Sequence, residues 1–476
     1  MTNPALHSAY RSGVRWSFAG SAGSAVLQFA QIALFARLAG PEAAGDYALA
    51  ATFISFLTPV AEAGLSQAVV QADQIKSRQL AALGGINLTL GALLALTLWI
   101  AGPTLALWFG RPDLPALLLI MGASLLITPF GAQYAGLLSR ELRFDQSARI
   151  EMVSWLVSVI FTTLAAWQGY GAKAIAGGFL LRNLIGTLGC VWAGRKIMRI
   201  PWPTWRGFRE TGEFLRFGVY ELSSRWADFL ANYLDKLIVA KWLGAEVLGY
   251  YHLAFTFLML PTARIGHIVT RVTFPIIARV RDDRAQLQAY FEGPAKQVIV
   301  WLFPLYTALI LFAEDIIRIG FGPMWLPAVP LMIAFGFAGF VRSLCAPFPQ
   351  LVKGLGKPQY WLWWALVFSA LLCFSLLLFL WFSPDVVSAA WSRTAVKYLF
   401  ELFLLGWLAR LCNVDMRPVM LFAGKMMFLL IPFALLTLTA GVLVNHPVVA
   451  LVLKTAIFTT GFLSILWYFH RRPPNE

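Results

Sequence analysis

A chain of 476 residues in which 59% are hydrophobic and 13% charged carries more apolar surface than a water-soluble protein of this size can hide, so a bilayer must solvate most of it. The net charge of +15 would suggest nucleic acid in a soluble protein; here it collects in alternate loops, as basic residues of membrane proteins do, and nucleic acid is not expected as a partner. Cys190, Cys345, Cys373 and Cys412 lie singly in or beside apolar stretches, without the spacing of a metal site or a disulfide framework, so they read as packing residues and neither a metal nor a cofactor is expected.

Apolar segments run near residues 16–38, 46–70, 82–108, 115–138, 148–168 and 174–194, then near 214–240, 248–275, 297–319, 327–352, 360–382, 386–409, 419–443 and 448–469. Each reaches the roughly 20 residues a spanning helix needs, which predicts an all-α polytopic membrane protein of about fourteen transmembrane helices. The polar serines and glutamines of the first segment argue against a cleaved signal peptide. Alternate loops hold the basic clusters, among them Arg140, Arg143 and Arg149, then Arg195 to Arg216, then Arg279, Arg281 and Arg284, while Arg37, Arg111, Lys241 and Arg318 stand nearly alone in the loops between. That asymmetry predicts both termini on the cytoplasmic side. The linker carries Trp202 and Trp205 among six basic residues, a composition suited to the inner headgroup layer and also to a topology anchor.

Leu34–Phe53 is written a second time as Ile238–Phe257. Ala36, Gly40, Glu42, Gly45, Tyr47, Leu49, Ala50, Thr52 and Phe53 all recur 204 positions later. A direct repeat of this kind predicts two parallel six-helix bundles with the substrate path between them. The boundaries expected are 1–197 for the first bundle, 198–212 for an amphipathic cytoplasmic linker, 213–411 for the second bundle and 412–476 for two appended helices with a tail. A second anchor pairs Pro129-Phe130 with Pro347-Phe348 at a shift of 218, the drift being assigned to a longer loop over Arg279–Lys296. Pro59 and Pro261 predict a shared kink in the second helix of each half.

The chemistry concentrates in the seventh segment. Glu221, Arg225, Asp228, Asn232 and Asp235 follow one another at spacings of four, three, four and three, which puts them within a wedge of about 80° on one helix side. The corresponding positions of the first segment are Ser17, Ser21, Ser24, Gln28 and Gln31, all polar. Two such stripes are expected to line a common hydrated cavity. The eighth segment adds Arg264, His267 and Arg271, again on one face. A structural ladder pairing Asp228 with Arg264 and Glu221 with Arg271 is the competing reading; against it, Arg225, His267 and Lys236 leave a positive excess suited to gripping phosphate. Glu62 and Gln67 face the same interior as Arg264, and Glu62 is a cation-coupling candidate. Arg182 with Asn183, Arg342, and the series Arg393, Lys397 and Glu401 extend the cavity or pair internally, and Lys425 and Lys454 in the last two helices are expected to snorkel. No GxxxxGK[ST] loop and no long outer loop occur, so an enzyme is not expected.

The stretches LFARLAGPEAAGDYALAATFISF, YLDKLIVAKWLGAEVLGYYHLAF and RIGHIVTRVTFPIIARVRDD resemble polysaccharide-biosynthesis flippases of the Wzx type, in the multidrug/oligosaccharidyl-lipid/polysaccharide exporter superfamily, nearest the colanic acid exporter branch. The likeness is strongest at 15–75 and 213–285, and beyond about 386 it is one of hydrophobicity only. It implies two six-helix lobes in a V plus two helices, in a bacterial inner membrane. It also implies a substrate, an undecaprenyl-pyrophosphate-linked oligosaccharide, moved to the outer leaflet, with polysaccharide polymerase and export machinery as further partners. In that setting Arg225, Arg264 and Arg271, with His267, would hold the diphosphate. Asn232, Gln28, Gln31 and Ser24 would meet sugar hydroxyls, and Asp228, Glu221, Asp235 or Glu62 would couple the cycle to a cation. A drug or cation antiporter of the same superfamily is the nearest alternative, and a membrane enzyme of polysaccharide assembly the more distant one.

Reporter fusions after Arg149, Arg209 and Arg284 should read cytoplasmic and fusions near Arg111, Glu246 and Asn445 periplasmic; a cytoplasmic reading at Glu246 would break the repeat argument.

Overall fold

The computed structural model describes residues 4–62, 69, 76–141, 143–205, 208–280, 283–355, 359–383, 385–443 and 447–471. Every regular element among the described residues is helical. The order begins α1 (Pro4–Glu62), α2 (Ser77–Phe109), α3 (Leu114–Gly122), α4 (Ser124–Arg140), α5 (Phe144–Trp167) and α6 (Ala172–Gly194). After the linker come α7 (Gly212–Val280), α8 (Arg284–Leu311), α9 (Ala313–Gly320), α10 (Val329–Cys345), α11 (Phe348–Gly354) and α12 (Gln359–Phe382), then α13 (Val386–Cys412), α14 (Arg417–Leu443) and α15 (Pro447–Arg471). Backbone polar groups in hydrocarbon must be satisfied within the segment, which is why so apolar a chain is nearly all helix.

Among the described residues, eleven stretches are long and apolar enough to cross a membrane. Two of them, in α1 and α7, each hold two helices joined at a glycine. The 27-residue α13 is long enough as well, but Arg393, Lys397 and Glu401 lie in its middle. Counting it, and both halves of the two broken helices, gives the fourteen crossings expected.

The repeat is conformational as well as textual. α1 breaks at Gly40 with φ 78° and ψ 176°, and α7 breaks at Gly244 with φ 85° and ψ 178°. A side chain at such a positive φ would be strained, so both copies need glycine there. The shared break is therefore at these glycines, whereas Pro59 and Pro261 sit within helix. Five residues beyond each break the two copies meet: a Cβ on Gly45 would overlap the carbonyl oxygen of Ala245, and one on Gly249 that of Pro41. Pro41 and Ala245 are themselves equivalent in the repeat, so the contact is reciprocal.

Helix starts locate the length difference between the halves. α2 and α8 start 207 residues apart and α4 and α10 start 205 apart, but α5 and α12 start 215 apart and α6 and α13 214. The extra residues thus enter between α10 and α12, where α11 lies, and not at Arg279–Lys296, which is helical from Arg284 onward. By the same register Pro129, inside α4, and Pro347, after α10, are not structural equivalents. Asp283 caps α8 by accepting from the backbone N–H groups of Ala285 and Gln286, and these bonds hold its carboxyl below the ordinary value.

By contact, Met1–Gly249 and Tyr250–Glu476 form two compact units. The division falls inside α7, so the first α7 helix goes with the N-terminal unit. In that unit α1 packs on α5, and α6 packs on both α4 and α5. In the second unit α10 packs on α8 and α13, with Thr394 Oγ1 donating to the Ala334 carbonyl at 3.0 Å, and Tyr306 Oη donates to the Leu258 carbonyl at 2.8 Å. Such side-chain bonds lock helices together where no hydrophobic drive separates protein from lipid.

Gly45→Ala and Gly249→Ala should each lower stability by about 1–3 kcal/mol, the usual cost of overpacking. Gly406, with open space around it, is the control: its change to Ala should be neutral or add about 0.5–1 kcal/mol. Thermal midpoints in detergent read all three.

Candidate functional site

The second helix of α1 runs antiparallel to the first helix of α7. Phe56 stacks on Trp226 with ring centroids 5.5 Å apart and touches Phe229 at 5.3 Å, and Phe229 in turn stacks on Tyr233 at 5.1 Å. This aromatic seam fixes which way the α7 stripe turns. Lys236, on the seam side, lies over the Tyr233 ring at 4.4 Å. Arg225, at the edge of the seam, reaches across so that Nη1 meets Glu62 Oε2 at 3.1 Å.

The pair is not sealed. Arg225 and Glu62 keep 33% and 29% of their side-chain surface open, and charges in a membrane-spanning helix stay ionised there only where water or a polar group reaches them. Asn232 is half-buried on the same stripe and Asp235 fully buried. Arg225 was expected as part of an unpaired positive excess; in this arrangement Glu62 balances it. The side chains of Glu221, Asp228, Arg264, His267 and Arg271 lie outside the described residues, as do Gln67 and the side chains of Ser17 and Ser21.

The stripe of the first helix divides. Gln31 Nε2 donates to Ser158 Oγ at 2.9 Å and to Thr162 Oγ1 at 2.7 Å, and Ser158 Oγ donates on to the Gly178 carbonyl at 2.8 Å. Both amide protons of Gln31 are thereby spent inside the unit, joining α1 to α5 and α6. The Nε2 expected at a sugar hydroxyl is thus directed to partners within its own unit, as an amide buried between apolar helices must be. Ser24 is fully buried on the same side, while Gln28 stays half-buried at the other edge of the stripe.

Among the described residues, several other intramembrane charges find partners within their own units. Arg182 lies over the Trp155 ring at 4.4 Å. Lys397 forms an ion pair with Glu401, both buried in the second unit, where the Arg393 guanidinium lies 4.8 Å from the Phe255 ring centroid; these residues line no open surface. Lys454, expected to snorkel, instead meets Asp315 at 3.0 Å. Lys425 lies over the Tyr468 ring at 5.0 Å and also lines a groove of about 650 Å³ along α14, formed with Arg417, Met420, Leu421, Gly424 and Phe428.

One group of functional-looking charges escaped the sequence reading. Arg111, in the turn after α2, donates to Asp46 at 2.6 and 2.7 Å and to Glu42 at 2.8 Å. The hydrogen-bonded Asp46 carboxylate raises the Arg111 pKa above its already high value, so the guanidinium stays charged. The available signal was the i, i+4 spacing of Glu42 and Asp46, which puts two carboxylates on one face.

The family model of the "Polysaccharide biosynthesis protein" matches residues 34–330, starting at the first copy of the repeat. The teichuronic acid biosynthesis protein TuaB of Bacillus subtilis (strain 168) is 28% identical over 415 residues, 86% of this chain and 84% of that protein. The lipopolysaccharide biosynthesis protein WzxC of Escherichia coli (strain K12) is 25% identical over 347 residues, covering 73% and 70% respectively. Among solved structures, the lipid II flippase MurJ in an inward closed conformation shares the fold with a TM-score of 0.76 at 16% identity over 96% of this chain and 100% of that one. An inward-facing multidrug resistance MATE family transporter gives 0.63 at 15% identity, over 82% and 94%. The chain is a multi-pass membrane protein that shares the fold of these solved structures, and it belongs to the polysaccharide biosynthesis protein family.

Proposed function

We propose that the protein is a flippase that carries an undecaprenyl-pyrophosphate-linked oligosaccharide from the cytoplasmic to the periplasmic leaflet by alternating access, with both termini in the cytoplasm. The observation that carries this reading is the Arg225–Glu62 pair, a third of its surface open between helices otherwise fitted for hydrocarbon. Such a pair needs a polar path beside it, and a sugar-diphosphate head needs the same path, since it cannot cross hydrocarbon. A prenyl tail has no such need and can stay in lipid.

Arg225 then has two partners in turn. With the head group absent, Glu62 holds it; a diphosphate, with more acceptor oxygens, competes for the guanidinium in the geometry it favours. Release of Glu62 would free a carboxylate to take up a cation, which ties substrate binding to coupling. Arg264 and Arg271 extend the diphosphate grip in this proposal, with His267 beside them; Asn232 and Gln28 serve the sugar, and Glu221, Asp228 and Asp235 are further coupling groups. Family membership and the names of the relatives favour a polysaccharide precursor over an organic cation as the cargo.

Deleting the protein should leave complete lipid-linked units on the cytoplasmic face; unpolymerised units outside would point to an assembly enzyme, and transport of cationic dyes in vesicles to an antiporter. Arg225→Ala and Arg264→Ala should insert at near-normal levels but export about tenfold to a hundredfold less, the loss expected for charge-assisted contacts. Arg264→Lys should lose part of the export, since a point charge keeps an ion pair but not the bidentate fork. Full export after exchanging Arg225 with Glu62, or Arg264 with Asp228, would reduce the corresponding pair to structure.

A further inference from the structure

The linker after α6 is strapped to the N-terminal unit by specific bonds. Thr204 N–H donates to the Ala81 carbonyl at 3.1 Å, Ile200 N–H donates to Tyr134 Oη at 3.3 Å, and Trp202 meets the Phe130 ring edge-on at 6.2 Å. At Gly85 the strap comes so close that a Cβ would lie 2.7 Å from the Thr204 carbonyl oxygen. Beneath it is a cavity of about 180 Å³, walled by Phe130, Tyr134, Pro201 and Trp202, with Gln133 and Arg195 as its polar groups. At about 30 Å³ per water, that is roughly six water volumes.

Gln133 is 3% exposed, and its Nε2 has no hydrogen-bond partner among the described residues. One turn along α2 from Gly84, which lines the cavity, Asn87 is fully buried with both amide atoms likewise unpartnered among the described residues. An unmet donor at this depth costs stability unless something accepts from it. Arg195, which lines the cavity, is exposed, as are its chain neighbours Lys196 and Arg199, and Lys196 lies over the Trp192 ring at 3.8 Å. Trp192, Trp202 and Trp205 are exposed as well, as rings at headgroup level are.

We infer that this cavity binds the phosphate headgroup of an anionic phospholipid, held by the Arg195 guanidinium and the Gln133 amide, with the apolar walls taking the glycerol end. The size excludes an oligosaccharide, and the basic, tryptophan-rich stretch around Arg195 matches an anionic leaflet. The inference rests on the cytoplasmic placement of this end of the helices but not on what the protein transports.

The test is native mass spectrometry of the delipidated full chain, titrated with phosphatidylglycerol or phosphatidylcholine of the same acyl chains. One phosphatidylglycerol should be retained at least tenfold more tightly than phosphatidylcholine. Arg195→Ala should weaken it about tenfold or more and Gln133→Leu about three- to tenfold, while Arg199→Ala stays within twofold. Gln133→Leu also removes an unmet buried donor, so its lipid-free thermal midpoint should hold or rise; that keeps loss of lipid distinct from loss of fold. If Arg195→Ala does not fold, Arg195→Lys should bind with intermediate strength. Equal retention of both lipids, wild-type binding by both Arg195→Ala and Gln133→Leu, an equal loss from Arg199→Ala, or displacement of phosphatidylglycerol by a polyprenyl phosphate would each overturn the assignment. Export plays no part in this readout, so its outcome is independent of the flippase reading.

Discussion

The close passage of two carbonyls over two glycines is the contact around which the repeat is built. Gly45 sits against the Ala245 carbonyl and Gly249 against that of Pro41, each five residues past a break at Gly40 or Gly244. The positive φ at the break sets the direction in which the next helix leaves; the missing Cβ lets the equivalent helices touch at backbone distance. Neither feature works without the other. A helix that left at another angle would not reach its equivalent, and a side chain at either glycine would hold the two apart.

That logic explains what could be read in advance. Apolar length counted the spans, because bilayer thickness is a fixed ruler, and identity showed that Gly40 and Gly45 recur, but the shared kink was expected at Pro59 and Pro261 and lies instead at Gly40 and Gly244. Side-chain partners were less legible. Periodicity gives the face of a helix but not the neighbour that covers it: Gln31 was on a polar face, yet that face meets Ser158 and Thr162 of α5. Arg225 read as a spare cation because Glu62 lies 163 residues away in sequence. The register shift was misplaced for a related reason: a short helix such as α11 carries no signal that distinguishes it from the end of a longer one.

Charges inside the bundle follow one economy. Lys296 with Glu292 and Lys397 with Glu401 pair one turn apart on their own helices, so desolvation is met before tertiary packing begins. Arg182 and Arg393 instead use aromatic faces, which accept a cation without adding a second charge to bury. Arg225 with Glu62, like Lys454 with Asp315, differs from these in spanning two helices while keeping surface open, and of the two it is the more open. Long-range pairing with partial exposure is the combination that lets a charge exchange partners.

The clamp around Arg111 has a mechanical consequence. Arg111 binds Asp46 and Glu42 from the turn beyond α2, and two residues later Asp113 binds Lys173 at the start of α6 at 2.9 Å. Three separate stretches of the first unit are thus riveted at one rim, while the Gly40 joint lies just beside the rivets. Torque applied to the second helix of α1 is passed sideways into α2 and α6 instead of being absorbed as bending. The rim turns as a plate, and compliance is left to the joint.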